Sequence, residues 1–468
     1  MGAPVRIDFG VQSNPGRLGP DTGPRHINAM VEQVAEGQPP LPIYAPPGLT
    51  LRATITDGGK CRGMIDVGNS LYIISKQKLV KIDQNWTVSD IGGIPGSDHV
   101  SMARNAKAST PQVAIVTDGN KYVLENNLLS DITDTDLPPP VGVTFSDQRI
   151  IFGIRDGRFF WSDIDNATSI GGTSFATAEG APDGLMRPYS HRLDTWFFGA
   201  TTTEIWRATS SVTNPFQRVG GGFIPRGCSA ANSVASLGET MFWVGDDNVP
   251  YMAPGYQLQP LNHPPIVRDL EAVTDRESIV GWTYSMGGHG FYVLSCDDWT
   301  WQFHIGVGWF ERQSLNSDRW RIQLGARFNN QNVVCDNVGN VYTMDANVFD
   351  EGGTDMVWTV RSAPMHAFPN RISVDRFYAD FVTGVGLNSS DTDLSDPKVG
   401  LCYSDDGGKS WSRQRLRTLG AQGQHEVRVV WDGLGITGRA GRIWELSCAA
   451  AVARGLRYAA IEGDQIGT

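Results

Sequence analysis

Paired carboxylates are the residues of this sequence whose type and spacing could carry out hydrolytic chemistry. A glycoside hydrolase needs two carboxyl groups that face each other about 5–10 Å apart across the scissile bond. Asp163 and Asp165 form one candidate pair, and Asp246 and Asp247 form another. Both pairs lie at or beside expected chain reversals, where aspartate side chains accept hydrogen bonds from the turn itself. We therefore interpret both pairs as turn-forming residues.

Metal and cofactor sites have little support in the sequence. Two groups of three closely spaced aspartates could gather a calcium ion: Asp131, Asp134 and Asp136, and Asp391, Asp393 and Asp396. Neither group has EF-hand spacing, so solvated loops are the preferred interpretation. The eight histidines form neither HExxH nor HxH, and the six cysteines include no CxxC pair. We predict no metal site and no cofactor.

Residues 404–411 have the spacing S-x-D-x-G-x-S-W. This spacing resembles the Asp-box hairpin of sialidases and related propellers. We expect Asp406 to accept backbone N–H bonds across the turn, Gly408 to take a positive φ, and Trp411 to pack beneath. With Ser404, these residues form a single copy outside the repeating region described below. The prediction is a structural hairpin without chemistry.

A sialidase would also need a cluster of arginines, a tyrosine nucleophile and an acid. Arginines are present at positions 155, 192 and 226. The sequence does not show whether these side chains converge. A carbohydrate-binding or glycan-cleaving propeller therefore remains the alternative function.

The elements that would position these residues are short apolar runs separated by turn residues. Seven candidate β-hairpins have turns near residues 76, 119, 156, 201, 247, 297 and 337. A β unit that recurs about every 40–50 residues is typical of propeller blades, which bury their faces only by stacking in a closed ring. The sequence predicts an all-β fold with a six- or seven-bladed β-propeller over residues 51–365.

Two regions flank the predicted propeller. Residues 1–50 contain five prolines between positions 39 and 47 and are expected to form an extended arm, because proline interrupts strand pairing. The best helical pattern in the chain, residues 27–34, lies in this arm. After residue 366 the strand spacing changes, and six runs predict a β-sandwich over 366–468. The runs are 373–382, 399–403, 412–416, 425–430, 442–448 and 456–461.

Charge and hydropathy limit the partners. The chain has 39 basic and 50 acidic residues, for a net charge of −11. An acidic chain repels phosphate, which argues against a dedicated nucleic-acid binder with a basic footprint. No stretch approaches the roughly 18 apolar residues of a membrane span, and residues 1–10 lack the order of a signal peptide.

Several blocks, in the same order along the chain, resemble the tail-hub proteins of short-tailed bacteriophages. These are also called packaged-DNA stabilisation proteins or tail accessory factors. Residues 96–103 (GSDHVSMA) are similar to the family block G-S-x-x-V-S-M-A. The residues that carry the resemblance are Ser101 and Met102; Pro182, Asp183, Gly184, Gly199, Thr203 and Glu204; Arg226 and Gly227; and Trp431, Gly438, Arg439 and Arg442. The segment 437–446 has only two arginines where relatives often have more basic residues.

The resemblance implies a propeller followed by a β-sandwich, and a structural role in the virion with no catalytic residues. It implies a ring, typically a homo-hexamer, below the portal and head-completion adaptor protein. It also implies contacts to tail spikes or fibres and to a needle or plug, with assembly in the host cytoplasm. Double-stranded DNA would pass through the channel without sequence-specific binding. The net charge of −11 favours a neutral or acidic lumen, along which the duplex slides while a steric plug retains it.

Overall fold

The described residues form mostly antiparallel β-sheets in two parts, a ring of seven four-stranded blades and a sandwich of two larger sheets. Six blades are separate four-stranded sheets, and the remaining blade is continuous with one sheet of the sandwich. The computed structural model describes residues 4–16, 23–32, 42–178, 180–211 and 214–467. The all-β class is therefore confirmed, and the number of blades, predicted as six or seven, is seven.

Five strands precede the first complete blade. They are β1 (Val5–Arg6), β2 (Arg25–Ile27), β3 (Met30–Val31), β4 (Ile43–Tyr44) and β5 (Gly48–Thr54). The helical pattern at residues 27–34 was misleading, because the described part of this segment contains β2 and β3 instead. Pro39 and Pro40 of the expected arm lie outside the described residues, as does Val34.

Blades 1 to 4 each contain four strands that follow one another in sequence. Blade 1 is β6 (Cys61–Val67), β7 (Ser70–Ser75), β8 (Lys78–Asp83) and β9 (Val88–Gly93). Blade 2 is β10 (Ser101–Arg104), β11 (Val113–Thr117), β12 (Asn120–Glu125) and β13 (Leu128–Asp131). Blade 3 is β14 (Pro140–Ser146), β15 (Arg149–Ile154), β16 (Arg158–Trp161) and β17 (Phe175–Thr177). Blade 4 is β18 (Leu185–His191), β19 (Asp194–Gly199), β20 (Thr203–Ala208) and β21 (Phe216–Ile224).

Blades 5 to 7 complete the ring. Blade 5 is β22 (Ala235–Leu237), β23 (Thr240–Val244), β24 (Pro250–Pro254) and β25 (Gln259–Pro260). Helix α1 (Pro264–Ala272) leads to blade 6, which is β26 (Val280–Met286), β27 (His289–Ser295), β28 (Thr300–His304) and β29 (Gly308–Glu311). Blade 7 is β30 (Ile322–Phe328), β31 (Gln331–Asp336) and β32 (Asn340–Asp345), with β5 as its outer strand.

Each of the seven hairpin turns found in the sequence lies between the second and third strands of one blade. The turn of blade 2 shows why the sequence signals it. Asp118 and Gly119 both have positive φ values, 48° and 74°, as a two-residue type I′ turn requires. The first strands of successive blades surround the ring axis, and β30 of blade 7 lies beside β6 of blade 1.

An N-terminal strand closes the ring. In blade 7, β5 pairs with β32 from Thr54 opposite Asn340 to Gly48 opposite Asp345. Leu49 of β5 is fully buried in the core shared by blades 6, 7 and 1. Strand β5 crosses the boundary expected at residue 50, and the structure places it in the ring.

Seven further strands and a short helix form the sandwich. They are β33 (Trp358–Arg361), β34 (Arg371–Phe381), α2 (Thr392–Ser395), β35 (Lys398–Ser404), β36 (Arg415–Thr418), β37 (Val429–Ile436), β38 (Ile443–Cys448) and β39 (Gly455–Ile466). One sheet has the order β3-β4-β39-β34-β37, with β1 paired to β39, and the other contains β33-β38-β35-β36. Large aromatic residues fill the space between them, with Phe377 against Trp431 and Trp444.

Strand β2 joins the ring to the sandwich. It lies parallel to β29 of blade 6, with Ile27 opposite Glu311, and antiparallel to β33 of the sandwich. The result is one continuous nine-stranded sheet that begins in blade 6 and ends at β36. Residues of the expected arm are thus built into both parts, and β33, which precedes the boundary expected at 366, pairs within the sandwich.

Candidate functional site

A buried arginine anchors the loop that carries the first family-like block. Arg62 on β6 donates hydrogen bonds to the carbonyls of Asp98 (2.6 Å), Lys76 (2.9 Å), Ile94 (2.9 Å) and Pro95 (3.0 Å). It also donates to Thr117 Oγ1 of blade 2 (3.0 Å). The guanidinium therefore fixes the connection between blades 1 and 2. No sequence motif marked Arg62, because its partners are mostly backbone carbonyls.

Ser101 and Met102 follow this loop and lie in contacts between blades. Ser101 Oγ donates to the carbonyl of Val143 (3.1 Å) and accepts from the Val143 N–H (3.0 Å), which ties blade 2 to blade 3. Met102 packs against the core between blades 1 and 2, close to Gly63. Both side chains act in blade packing.

The Pro182-Asp183-Gly184 segment caps the central turn of blade 4. The Asp183 carboxylate accepts hydrogen bonds from the backbone N–H groups of Thr201 (2.6 Å) and Thr202 (2.8 Å). A Cβ atom at Gly199 would lie 2.5 Å from this carboxylate, so glycine is required there. A Cβ atom at Gly184 would lie 2.9 Å from the carbonyl oxygen of Arg155.

Thr203 and Glu204 extend the same network towards blade 5. Thr203 Oγ1 donates to the carbonyl of Arg226 (2.8 Å). Glu204 is buried and accepts from Trp206 Nε1 (2.9 Å) and from the Gly180 N–H. The buried carboxylate thereby holds the segment after blade 3 against blade 4.

Arg226 and Gly227 bind one of the two carboxylate pairs that the sequence offered for hydrolysis, Asp246 and Asp247. Arg226 Nη1 lies 3.0 Å from an oxygen of Asp246 and 3.3 Å from one of Asp247. The Gly227 N–H donates to Asp246 (3.1 Å), and the Gly227 carbonyl accepts from Trp243 Nε1 (3.1 Å). The Asp246 and Asp247 carboxylates are thus engaged in an ion pair and a turn.

Several of the remaining acidic candidates form hydrogen bonds within their own loops. Asp163 accepts from Ser169 Oγ (2.6 Å), and Asp134 accepts from the Asp136 N–H (2.9 Å). Asp391 accepts from the Asp393 N–H (2.9 Å) at the start of α2. Within the described ranges, no three His, Cys, Asp or Glu side chains are arranged to hold a metal ion.

The arginines considered for a sialidase lie at different ends of the blades. Arg155 is at the turn between the second and third strands of blade 3, and Arg192 is at the turn between the first two strands of blade 4. Consecutive turns of an antiparallel sheet lie at opposite ends. Arg192 pairs with Glu239 (2.8 Å), whereas Arg226 pairs with Asp246. The three guanidinium groups do not form one cluster.

Arg442 is the centre of the C-terminal motif. This buried guanidinium makes two 2.7 Å bonds to Asp405 and donates to the carbonyls of Leu434 (2.7 Å) and Ile436 (3.0 Å). It also lies 3.9 Å from the ring centroid of Tyr403.

The other residues of this motif differ in exposure. Trp431 is fully buried and donates from Nε1 to the carbonyl of Arg415 (2.7 Å). The Gly438 N–H donates to Asp405 (3.1 Å), and a Cβ atom at Gly438 would lie 2.2 Å from the Asp405 carbonyl oxygen. Arg439 is exposed. The motif therefore contains three packing residues and one surface cation.

The Asp-box residues form a hairpin turn after β35. Asp406 accepts from the Ser410 N–H (2.9 Å) and from Ser410 Oγ (2.6 Å), and these bonds lower the pKa of Asp406 to about 2. Ser404 Oγ accepts from the Gly408 N–H (2.8 Å), and Gly408 has a φ of 86°. Trp411 is partly exposed and lies beneath the Arg361 guanidinium, 4.8 Å from ring centroid to carbon.

A polar cluster fixes β2 between the two parts of the molecule. Arg25 donates to both carboxylate oxygens of Glu311, at 2.9 Å from Nε and 2.6 Å from Nη2. Ser13 Oγ donates to the same carboxylate (2.6 Å), and Asn28 Nδ2 donates to the carbonyls of Gln313 (2.7 Å) and Val357 (2.9 Å). No local pattern in the sequence marks this cluster, because its members are about 285–330 positions apart.

An apolar cavity of about 400 Å³ lies beside this junction. Its wall includes Met30, Tyr44, Phe291 and Phe349, with His289 and His304 at 2.9 Å from each other. Burial, and then the neighbouring His289, lower the pKa of His304 to about 4.

Neither described helix has the length and apolar composition needed to cross a bilayer.

Solved structures that resemble this chain include three at low sequence identity. The BBS1N chain of a complex with ARL6DN is 10% identical, with a TM-score of 0.42 over 65% of this chain and 97% of that chain. The WD40 propeller domain of Doa1 is 11% identical, with a TM-score of 0.42 over 64% and 97%. Streptogramin B lyase gives 11% identity and 0.42 over 64% and 97%. These likenesses are too distant to bear on function.

The family comparison is more informative. No curated protein matches the chain. A family model described as "Bacteriophage P22 Gp10, beta-propeller" matches residues 24–349, from β2 at the junction through all seven blades. This match covers well over half of the 468 residues. The chain therefore belongs to this family of phage packaged-DNA stabilisation proteins, and it is a structural β-propeller protein of the virion.

Proposed function

We propose that this protein is the subunit of a phage tail hub. In this proposal, six copies form a closed ring below the portal and the head-completion adaptor. The observation that carries the proposal is the family match across the whole propeller, together with the nine-stranded sheet that joins propeller and sandwich. A subunit built as one continuous body can transmit load between the partners on either side of it. Subunits would be made in the host cytoplasm and join the tail there.

Ring contacts of this kind are heterologous, since one patch must meet a different patch on the next copy. The edge of the sandwich where β36 and β37 meet suits such a contact. Leu416 of β36 and Ile436 of β37 are 52% and 46% exposed, and Arg413 and Arg428 are also exposed. Exposed apolar side chains and arginines are typical of protein interfaces. We assign this edge to contact with a neighbouring copy or with a spike, fibre or needle protein.

The distribution of charge supports a lumen along which DNA slides. Residues 366–468 contain equal numbers of acidic and basic residues, so residues 1–365 carry the whole net charge of −11. A propeller wall of this sign repels the phosphates and does not grip the duplex. Retention of the genome then depends on a steric plug.

A reconstruction of the virion tail tests the proposal directly. We expect density for this chain in a six-fold ring between the adaptor and the distal tail proteins. Substitution of Leu416 and Ile436 by Glu should reduce incorporation into tails, whereas Leu128→Glu, at a turn of blade 2 where Leu128 is 72% exposed, should not. Absence of the chain from purified virions would refute the hub.

A further inference from the structure

Two adjoining cavities lie on the axis of the propeller, where the first strands of the blades converge. The outer cavity has a volume of about 300 Å³, and it opens at the end of the ring that carries the Asp118 and Arg155 turns. The inner cavity has a volume of about 220 Å³. His99, Arg187 and Asn232 line both cavities and therefore form the boundary between them.

The guanidinium of Arg187 lies on this boundary without an anionic partner. Its Nη1 donates to the carbonyl of Ala231 (3.0 Å) and lies 3.5 Å from Asn232 Oδ1. Its Nε is buried and has no hydrogen-bond partner among the described residues. Burial lowers the pKa of Arg187, which shows that the channel wall disfavours an unpaired cation. Such a site gains free energy when an anion enters it.

His99 adds a donor to the same boundary. Burial, followed by the charges of Arg187, Arg62 and Lys60, lowers the pKa of His99 to about 3. The ring is therefore neutral at pH 7 and can donate one hydrogen bond. The floor of the outer cavity thus offers an anion a planar guanidinium and an imidazole N–H.

Acidic residues predominate at the mouth of the outer cavity. Three acidic residues, Asp98, Asp118 and Glu277, line the outer cavity together with one further cation, Arg155. Within the described ranges, no ion pair joins any of the three carboxylates to Arg187. A hydrogen bond between the carboxyl groups of Asp118 and Asp98 is the largest cause that raises the pKa of Asp118 to about 6. At pH 7.5 the Asp118 carboxyl is therefore mostly ionised and can bind a cation at the mouth.

We propose that the outer cavity binds a small zwitterion, with its carboxylate on Arg187 and its ammonium group on Asp98 and Asp118. The parallel N–H donors of a guanidinium match the two oxygens of a carboxylate. The three carboxylates outnumber Arg155 in this cavity, so together they repel inorganic phosphate, which carries more negative charge and no cation. A cavity of about 300 Å³ accommodates a molecule the size of an amino acid. The site stands independently of the hub assignment.

Calorimetric titration of the purified full-length chain at pH 7.5 tests the site. The probes are the ω-amino carboxylates from glycine to 6-aminohexanoate, each with a carboxylate and an alkylamine of the same length, and inorganic phosphate. We expect one length of zwitterion to bind at least tenfold more tightly than either singly charged partner. Arg187→Met and Asp118→Asn should each weaken this binding at least tenfold. Arg192→Met, which removes a paired arginine at the other end of blade 4, should leave it unchanged.

Four results would overturn the proposal. One is the absence of binding by every zwitterion of the series, and another is tighter binding of phosphate. The third is unchanged binding by Asp118→Asn, whose exposed position makes misfolding an inadequate explanation. The fourth is tighter binding of an Asp-Lys dipeptide with blocked termini than of any free zwitterion. That result would assign the cavity to a segment of a partner protein.

Discussion

Single buried cations stabilise this molecule at points where its strands must meet loops. Arg62 and Arg442 each satisfy several carbonyl groups that no strand pairs. Arginine suits this role because its planar group presents five donors in fixed directions. The functional importance of both residues lies in the loops that they hold in place.

Arg442 and Arg439, three positions apart, provide a matched pair for a test at the residue scale. Replacement of Arg442 by Met leaves Asp405 without its buried partner and should lower the free energy of unfolding by about 3 kcal/mol. Replacement of exposed Arg439 by Met should change it by less than about 0.5 kcal/mol. Urea unfolding monitored by circular dichroism measures both, and equal effects would contradict the role assigned to Arg442.

His304 makes the stability depend on pH. Its folded-state pKa of about 4 lies below the unfolded value of 6.5, so its contribution is present above pH 6.5 and is lost as the pH falls towards 4. A difference of this size corresponds to roughly 3 kcal/mol. In His304→Gln, the unfolding free energy should therefore fall less between pH 7 and pH 4.5 than in the wild type. His425→Gln, at an exposed site, should behave as the wild type.

At the scale of elements, β2 is the strand that joins the propeller to the sandwich. Its residue Ile27 pairs with blade 6 on one side, and all three of its residues pair with the sandwich on the other. The Arg25–Glu311 ion pair fixes its position. Strands of this length have little stability alone. Their order therefore depends on the surrounding polar cluster.

The substitution of glutamate by glutamine at positions 311 and 239 tests whether the order of β2 depends on its polar cluster. Glu311→Gln weakens the bonds to Arg25 and Ser13 in a nearly buried site and should cost about 3 kcal/mol. Glu239→Gln alters an exposed ion pair with Arg192 and should cost less than about 1 kcal/mol. Scanning calorimetry should show one transition in the wild type and separate ring and sandwich transitions in Glu311→Gln. A single, unshifted transition would count against β2 as the coupling element.

At the scale of the whole molecule, closure of the ring depends on a strand from the N-terminal region. Leu49 and Leu51 lie on β5, the first fully buried and the second 47% exposed. Leu49→Ala should lower the free energy of unfolding by about 3 kcal/mol, because it leaves a cavity where blades 7 and 1 meet. Leu51→Ala should have a much smaller effect. Thermal unfolding of both variants distinguishes a closing strand from a peripheral one.

The local features of this architecture could be predicted, whereas its long-range pairings could not. Asp118 and Gly119 predict the hairpin of blade 2, because the conformations of these two adjacent residues determine the turn. The strand expected at 412–416 begins later, at Arg415, because Ser410 and Ser412 are used in bonds to Asp406 and Tyr403. The strand expected at 425–430 begins at Val429. Helix α1 was not predicted, since its nine residues give only a short helical pattern.

At the candidate site, too, local contacts could be predicted and long-range contacts could not. The role of Asp406 followed from the spacing of its neighbours. The contact between Arg25 and Glu311, and the placement of Arg187 beside Asp118 in one cavity, depend on how distant blades close into a ring. A single sequence contains no local signal for such contacts.

Closure by β5 has a consequence for biosynthesis. Thr54 and its partner Asn340 are 286 positions apart. At roughly 5–20 residues per second, a ribosome needs about 15 s to 1 min to travel from one to the other. By the end of that interval the nascent chain has six blades, and β5 still has an unpaired edge, which is prone to pairing with other polypeptides. The ring therefore cannot close until β32 has been synthesised, and premature association of unfinished chains is the hazard that this topology must withstand.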